Sequence, residues 1–229
     1  MKYRVEQKYL CDAKDLAILQ SRLKMLLKKD THAGENGEYI VRSVYFDDYQ
    51  NRCYYENEDG VENRDKYRIR FYGDPNSIVK LEIKSKRNTH NFKQSCILSK
   101  EIVEDVILNS HLPKIKDASE PYKQLCLQMK TRLLRPKVIV EYVREAYVYK
   151  SGNVRITLDK NIVGSSCVKG FFSMQGVKVP ILETGQFVLE VKYDEFLPSH
   201  IYNALGLKNL QQTSFSKYYL SRKKLKANF

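Results

Sequence analysis

Charged and apolar residues alternate in this chain over many short segments. Successive side chains of a strand point to opposite faces, so residues two apart share a surface. Lys80, Glu82, Lys84 and Lys86 alternate with Leu81, Ile83 and Ser85, and Lys66, Arg68 and Arg70 alternate with Tyr67, Ile69 and Phe71. The same period sets Arg4, Glu6 and Lys8 against Val5 and Tyr9, and Arg155, Thr157 and Asp159 against Val154, Ile156 and Leu158. Glu190 and Lys192 stand likewise against Leu189, Val191 and Tyr193. A single strand of this kind belongs in an ordinary sheet with one face in water. A set of them, with helices available to cover the apolar faces, predicts an antiparallel sheet closed around an aqueous channel lined by charge.

The helices are legible from capping and spacing. Asp12 is placed to cap a helix carrying Leu16, Leu19, Leu23, Leu26 and Leu27. Further helix is predicted over 101–135, punctuated by Pro113 and Pro121, then after Pro198, and over 216–226. Strands are predicted over 41–46, 66–72 and 78–85, the last two joined by the turn Asp74-Pro75-Asn76-Ser77, and over 137–149, 153–158 and 186–193. The expected fold is α+β, a closed antiparallel β-barrel with flanking helices, in one domain spanning residues 1–229.

Lysine and arginine number 40 against 27 aspartates and glutamates, a formal charge of +13, so an anionic partner is expected. Single-stranded nucleic acid is usually held by a basic surface interleaved with stacking aromatics. Here Tyr67 and Phe71 alternate away from the basic face, which argues against nucleic acid. No apolar run approaches the roughly 20 residues of a membrane span, and Met1 to Glu6 holds no signal-peptide core, so a cytoplasmic protein is expected. Five scattered cysteines without a C-x-x-C pair predict reduced, mostly buried thiols. The histidines, His32, His90, His111 and His200, are equally scattered and are expected in loops or at the surface. Any metal therefore falls to carboxylates, which suit a hard ion such as Mg²⁺ or Mn²⁺.

A series of short motifs carries a family resemblance. Glu6-Gln7-Lys8-Tyr9, Ser43-Val44-Tyr45-Phe46-Asp47, Tyr67-Arg68-Ile69-Arg70-Phe71-Tyr72-Gly73 and Leu81-Glu82-Ile83-Lys84 are followed by Tyr142-Val143-Arg144 and Val154-Arg155-Ile156-Thr157-Leu158-Asp159. Leu189-Glu190-Val191-Lys192 and Ser214-Phe215-Ser216-Lys217-Tyr218 complete the series. In this order they resemble the polyphosphate polymerase domain of the vacuolar transporter chaperone (VTC) complex, within the triphosphate tunnel metalloenzymes.

The resemblance implies an ATP-dependent enzyme that passes the terminal phosphoryl group to a growing polyphosphate chain. Its partners would be ATP and polyphosphate, its cofactor Mn²⁺ or Mg²⁺, and transport would need a separate membrane partner. Carried over by motif, Lys8, Arg68, Arg70, Lys84, Arg144, Arg155, Lys192 and Lys217 would be the catalytic phosphate contacts. Lys93, Tyr142 and Ser216 would add substrate contacts, Glu190 would hold the metal, and Glu6 and Glu82 would support these groups. Many tunnel enzymes begin Glu-x-Glu-x-Lys, whereas this chain has Arg4-Val5-Glu6-Gln7-Lys8, with fewer carboxylates, as in the polymerase branch. A tripolyphosphatase or nucleoside triphosphatase of the same fold, or a non-catalytic polyphosphate-binding module, is the alternative.

Overall fold

The computed structural model describes residues 4–31, 33–34, 36–88 and 90–227. His32, expected in a loop, lies outside the described residues. In chain order the elements are β1 (Val5–Cys11), α1 (Ala13–Leu26), β2 (Lys28–Lys29), β3 (Glu38–Asp47), α2 (Arg52–Glu58), β4 (Arg64–Tyr72), β5 (Val79–Arg87), β6 (His90–Leu98) and α3 (Lys100–Asn109). They continue as α4 (Glu120–Thr131), β7 (Arg135–Tyr149), β8 (Val154–Ser165), β9 (Val179–Pro180), β10 (Phe187–Tyr193), α5 (Ser199–Leu205), β11 (Gln211–Gln212) and α6 (Lys217–Ala227).

The α+β class and the large antiparallel sheet are as expected; the closed barrel is not. The strand order is β11-β1-β10-β8-β7-β3-β4-β5-β6, with β2 added on β7 and β9 on β8. Among the described residues β11 and β6 end this path and no ladder joins them, so the sheet is open. The alternation predicts which faces are apolar; closure depends on pairing between strands far apart in sequence, to which a local period is blind.

Packing divides the chain into two compact units. The first comprises residues up to 40, 142–162 and 182–215. Here β1 pairs with β10 and β10 with β8, placing Glu6 opposite Lys192, Lys8 opposite Glu190, and Glu190 opposite Thr157. The outer face, including Tyr9, Ile156, Leu158, Leu189 and Val191, is buried with Leu16, Leu19 and Leu23 of α1 and Ile201 and Leu205 of α5. Asp12 caps α1 reciprocally: its carboxylate accepts from Asp15 N at 2.8 Å, and Asp15 accepts from Asp12 N at 3.2 Å.

The second unit comprises residues 41–141, 163–181 and 216 onward. Strands β3, β4, β5 and β6 run in consecutive antiparallel order. Val44, Phe46, Tyr67, Ile69, Phe71, Leu81 and Ile83 form the apolar face, covered by Val103 and Val106 of α3 and Tyr122, Leu125 and Met129 of α4. Burying an apolar side chain contributes about 1.5–3 kcal/mol, so in both units the core face fixes strand register and leaves the charged residues on the other face. Of the cysteines, Cys11 is buried, Cys53, Cys96 and Cys126 are half-buried, and Cys167 is exposed, so the thiols are less buried than expected.

Candidate functional site

Antiparallel partners share a face, so the registers bring the predicted residues together row by row. In the second unit one row reads Lys93, Lys84 and Lys66 across β6, β5 and β4. The next reads Ser95, Glu82, Arg68 and Tyr45, and a third Ile97, Lys80, Arg70 and Ser43. Glu82 is the only carboxylate on these three rows. Arg68 donates to its Oε2 from Nε at 2.7 Å and from Nη2 at 2.5 Å, Arg70 approaches it at 3.9 Å, and Lys93 reaches its Oε1 at 3.3 Å.

Burial opposes ionisation of Glu82, but Arg68, Arg70 and Lys93 outweigh it and hold the carboxyl well below the usual carboxylate range. Neutral groups accept from both arginines. Arg68 Nη1 donates to the Tyr45 hydroxyl at 3.0 Å, and Arg70 Nε donates to Ser43 Oγ at 2.7 Å. Burial pushes the Tyr45 phenol up, yet Arg68 and Arg70, with help from Lys217, bring it below its ordinary value. Lys66 donates to Ser216 Oγ at 3.2 Å and also to Asn57, which joins the segment before α6 to the lysine row.

The first unit carries a different cluster. Arg144 grips Asp159 with two bonds, Nε to Oδ1 at 2.7 Å and Nη2 to Oδ2 at 2.8 Å, and reaches Glu190 Oε2 at 3.4 Å. Lys192 pairs with Glu190 at 2.9 Å and Glu6 at 3.3 Å, and Lys8 pairs with Glu6 at 3.1 Å while donating to the Phe215 carbonyl. The Arg144 guanidinium lies 5.1 Å from the Tyr142 ring centroid. Burial disfavours this guanidinium, but Asp159 foremost, with Tyr142 and Glu190, raises it well above its ordinary value. Arg155 shares the strand face but turns to Asp30 at 2.5 Å and the Tyr39 hydroxyl at 3.1 Å.

A model of the VTC domain matches residues 3–226. The chain belongs to the VTC domain family. No curated protein matches the sequence. Three solved structures share the fold of this VTC domain at low identity. A candidate adenylate cyclase from Bacillus halodurans is 15% identical, with 94% of each chain covered and a TM-score of 0.56. A candidate adenylyl cyclase from Hippeastrum, described as having a dominant triphosphatase activity, is 16% identical over 98% of this chain and 96% of its own, with a TM-score of 0.56. A protein of Pyrococcus horikoshii is 14% identical over 97% and 99%, with a TM-score of 0.52.

The VTC domain thus gathers Lys84, Lys93, Arg68, Arg70, Glu82, Ser216 and Lys217 in one unit, and Glu6, Lys8, Tyr142, Arg144, Glu190 and Lys192 in the other. Among the described residues no three His, Cys, Asp or Glu side chains are grouped to hold a metal. A closed protein cage is therefore not what these donors fit. Glu190 and Glu6, both ion-paired to Lys192, fit an ion held by one or two carboxylates and completed by phosphate oxygens, the usual manner of Mg²⁺.

Sequence reasoning missed Ser43, Tyr45, Lys66 and Asp159 as cluster members. The signal for the first two was the spacing Ser43-x-Tyr45 on a strand. Lys66 was visible as the next member of the Arg68 and Arg70 alternation, and Asp159 as that of Arg155 and Thr157.

Proposed function

We propose that this VTC domain is a polyphosphate polymerase that transfers the terminal phosphoryl group of ATP to a growing polyphosphate chain. The observation that carries this reading is the gathering of Lys66, Arg68, Arg70, Lys80, Lys84 and Lys93 on the paired rows of β4, β5 and β6, with Tyr45 and Ser43 accepting from the two arginines. Such a surface is organised to receive a polyanion.

Phosphoryl transfer spreads charge over the equatorial phosphate oxygens and asks the protein chiefly for positioning and charge stabilisation. Arg68 and Arg70 would each present a planar fork to phosphate oxygens, with Glu82 orienting them from behind. Lys66, Lys84, Lys93 and Lys217 would supply point charges along the phosphate chain, and Ser216 a hydroxyl. In the first unit Lys8, Arg144, Arg155 and Lys192 would contact phosphate, with Tyr142 placed against Arg144. In the reaction the bond from the γ-phosphorus to the bridging β–γ oxygen breaks, a bond from that phosphorus to a terminal polyphosphate oxygen forms, and ADP leaves. Glu190, supported by Glu6, would hold Mn²⁺ or Mg²⁺, which when bound neutralises developing phosphate charge.

A second reading, hydrolysis of triphosphate, is favoured by the triphosphatase activity described for the Hippeastrum protein that shares the fold. Incubation of the purified chain with ATP and Mn²⁺ or Mg²⁺, followed by gel resolution of the products, separates the readings. Long polyphosphate with ADP supports the polymerase. Inorganic phosphate without chain growth supports the triphosphatase, and neither product leaves a polyphosphate-binding module.

A further inference from the structure

Asp47 ends β3 and is fully buried, yet it belongs to neither charged cluster. Its Oδ1 accepts from the backbone N–H of Asp48 at 2.9 Å and of Cys53 at 2.8 Å. Its Oδ2 accepts from Tyr54 N at 3.2 Å, from the Tyr218 hydroxyl, and from Arg222 Nη1 at 3.4 Å. One carboxylate therefore ties the first turn of α2 to two side chains one turn apart on α6. Arg222 extends the tie by donating from Nη2 to Asn51 Oδ1 at 2.6 Å.

What α6 brings with it matters more than the tie itself. Its first residue is Lys217, preceded by Ser216, whose Oγ accepts from Lys66 at 3.2 Å and from Tyr219 N at 3.4 Å. The Tyr218 ring lies 5.4 Å from that of Tyr45, the phenol that receives Arg68. The buried face of α6, with Tyr218, Ser221 and Leu225, is seated closely as well. A Cβ built on Gly164 would stand 3.1 Å from Ser221 Cβ, so the glycine lets α6 approach β8 closely at this point.

The geometry points to Asp47 as the positioning residue that latches α6, and with it Ser216 and Lys217, onto the cation cluster of the second unit. The inference rests on the phosphate-binding reading for its effect on ligand affinity, but the latch itself does not. Replacing a buried carboxylate that takes five donors by an amide leaves one acceptor oxygen in place of two, so donors on the lost side give up their bond to this group. A displacement near 1 Å at a phosphate-binding group is enough to cost substantial rate or affinity.

Asp47→Asn keeps the shape and presents an N–H to groups that are themselves donors. The expected result is faster amide hydrogen exchange in α6, unchanged exchange in β4, and at least tenfold weaker binding of tripolyphosphate at a temperature where the variant is folded. Leu125→Ala, a core truncation under α4, serves as the control: it should lower the melting temperature while leaving α6 exchange and tripolyphosphate affinity at wild-type values. If Asp47→Asn does not fold, the double variant Tyr218→Phe with Arg222→Met removes the two α6 donors instead and is expected to show the same pair of effects. Wild-type exchange in α6 in a folded latch variant overturns the inference, as does an affinity loss that Leu125→Ala reproduces. If wild-type protein fails to bind tripolyphosphate, the phosphate-binding reading falls, while α6 exchange still decides the latch.

Discussion

In the first unit four carboxylates, Glu6, Asp30, Asp159 and Glu190, stand against four cations, Lys8, Arg144, Arg155 and Lys192. In the second, Glu82 alone stands among Lys66, Arg68, Arg70, Lys80, Lys84 and Lys93 on the paired rows of β4, β5 and β6. The same strand alternation built both, so the difference lies in charge rather than in fold. In the balanced cluster, removing one partner strands another. On the proposed reading the cation-rich cluster takes the larger share of an added anion, so its variants are expected to weaken phosphate binding more than those of the first cluster.

The largest effect is expected where balance is tightest. Arg144→Ala leaves Asp159, with no exposed surface, without its bidentate partner. Breaking a buried pair in this way costs about 3–5 kcal/mol. Urea denaturation should show a loss of that order. A loss below 1 kcal/mol, on the same order-of-magnitude scale, would show that this pair behaves as a surface bridge.

Glu82→Gln should also destabilise the free protein, because Arg68, Arg70 and Lys93 then face one another without their carboxylate. Here the loss should be reversible. Ligand at a hundred times its dissociation constant adds about 2.7 kcal/mol, and 0.5 M salt should recover part of the remainder by screening. Thermal melts of Glu82→Gln with and without tripolyphosphate, at low and high salt, test this, and a loss that neither condition reduces would contradict it.

A smaller effect concerns acid. The Glu82 carboxyl lies below its ordinary value, so the stability it contributes is complete above about pH 4.3 and drains away as pH falls toward its folded pKa. Denaturation followed through that range should show a shallower acid limb in Glu82→Gln than in wild type. Parallel limbs would place the acid sensitivity elsewhere.

The strands of both clusters were legible because their two-residue period is a local signal, and so was α1, with its Asp12 cap and leucine spacing. The two-residue strands β2, β9 and β11 were not, nor were α2 and β6. The short α2 has the sequence RCYYENE, no leucine stripe, and an N-cap, Asn51, in the left-handed region whose side chain makes no capping bond to the helix; its first turn is held by the Asp47 and Asp48 carboxylates instead. In β6 exposed residues fall on both faces, so no alternation marks it, and Lys93 joins the lysine row only through its register with Lys84. Tyr45 and Ser43 were hidden for a related reason. Their sequence context is that of a core strand, and only pairing with β4 sets them beside Arg68 and Arg70. Barrel closure was over-read from the same alternation, since a charged face does not specify which edge strands meet.

The central claim is that triphosphate affinity resides in the cation-rich cluster and not in the carboxylate of the balanced one. Calorimetric titration of tripolyphosphate, without metal, into wild type, Arg68→Ala and Glu190→Gln tests it directly. A charge-assisted hydrogen bond contributes about 1.5–3 kcal/mol, so Arg68→Ala should bind at least about tenfold more weakly. Glu190→Gln should bind as tightly as wild type or slightly more tightly, because a negative charge near the ligand has been removed. Wild-type affinity in folded Arg68→Ala, or a loss in Glu190→Gln as large as that in Arg68→Ala, would contradict the account.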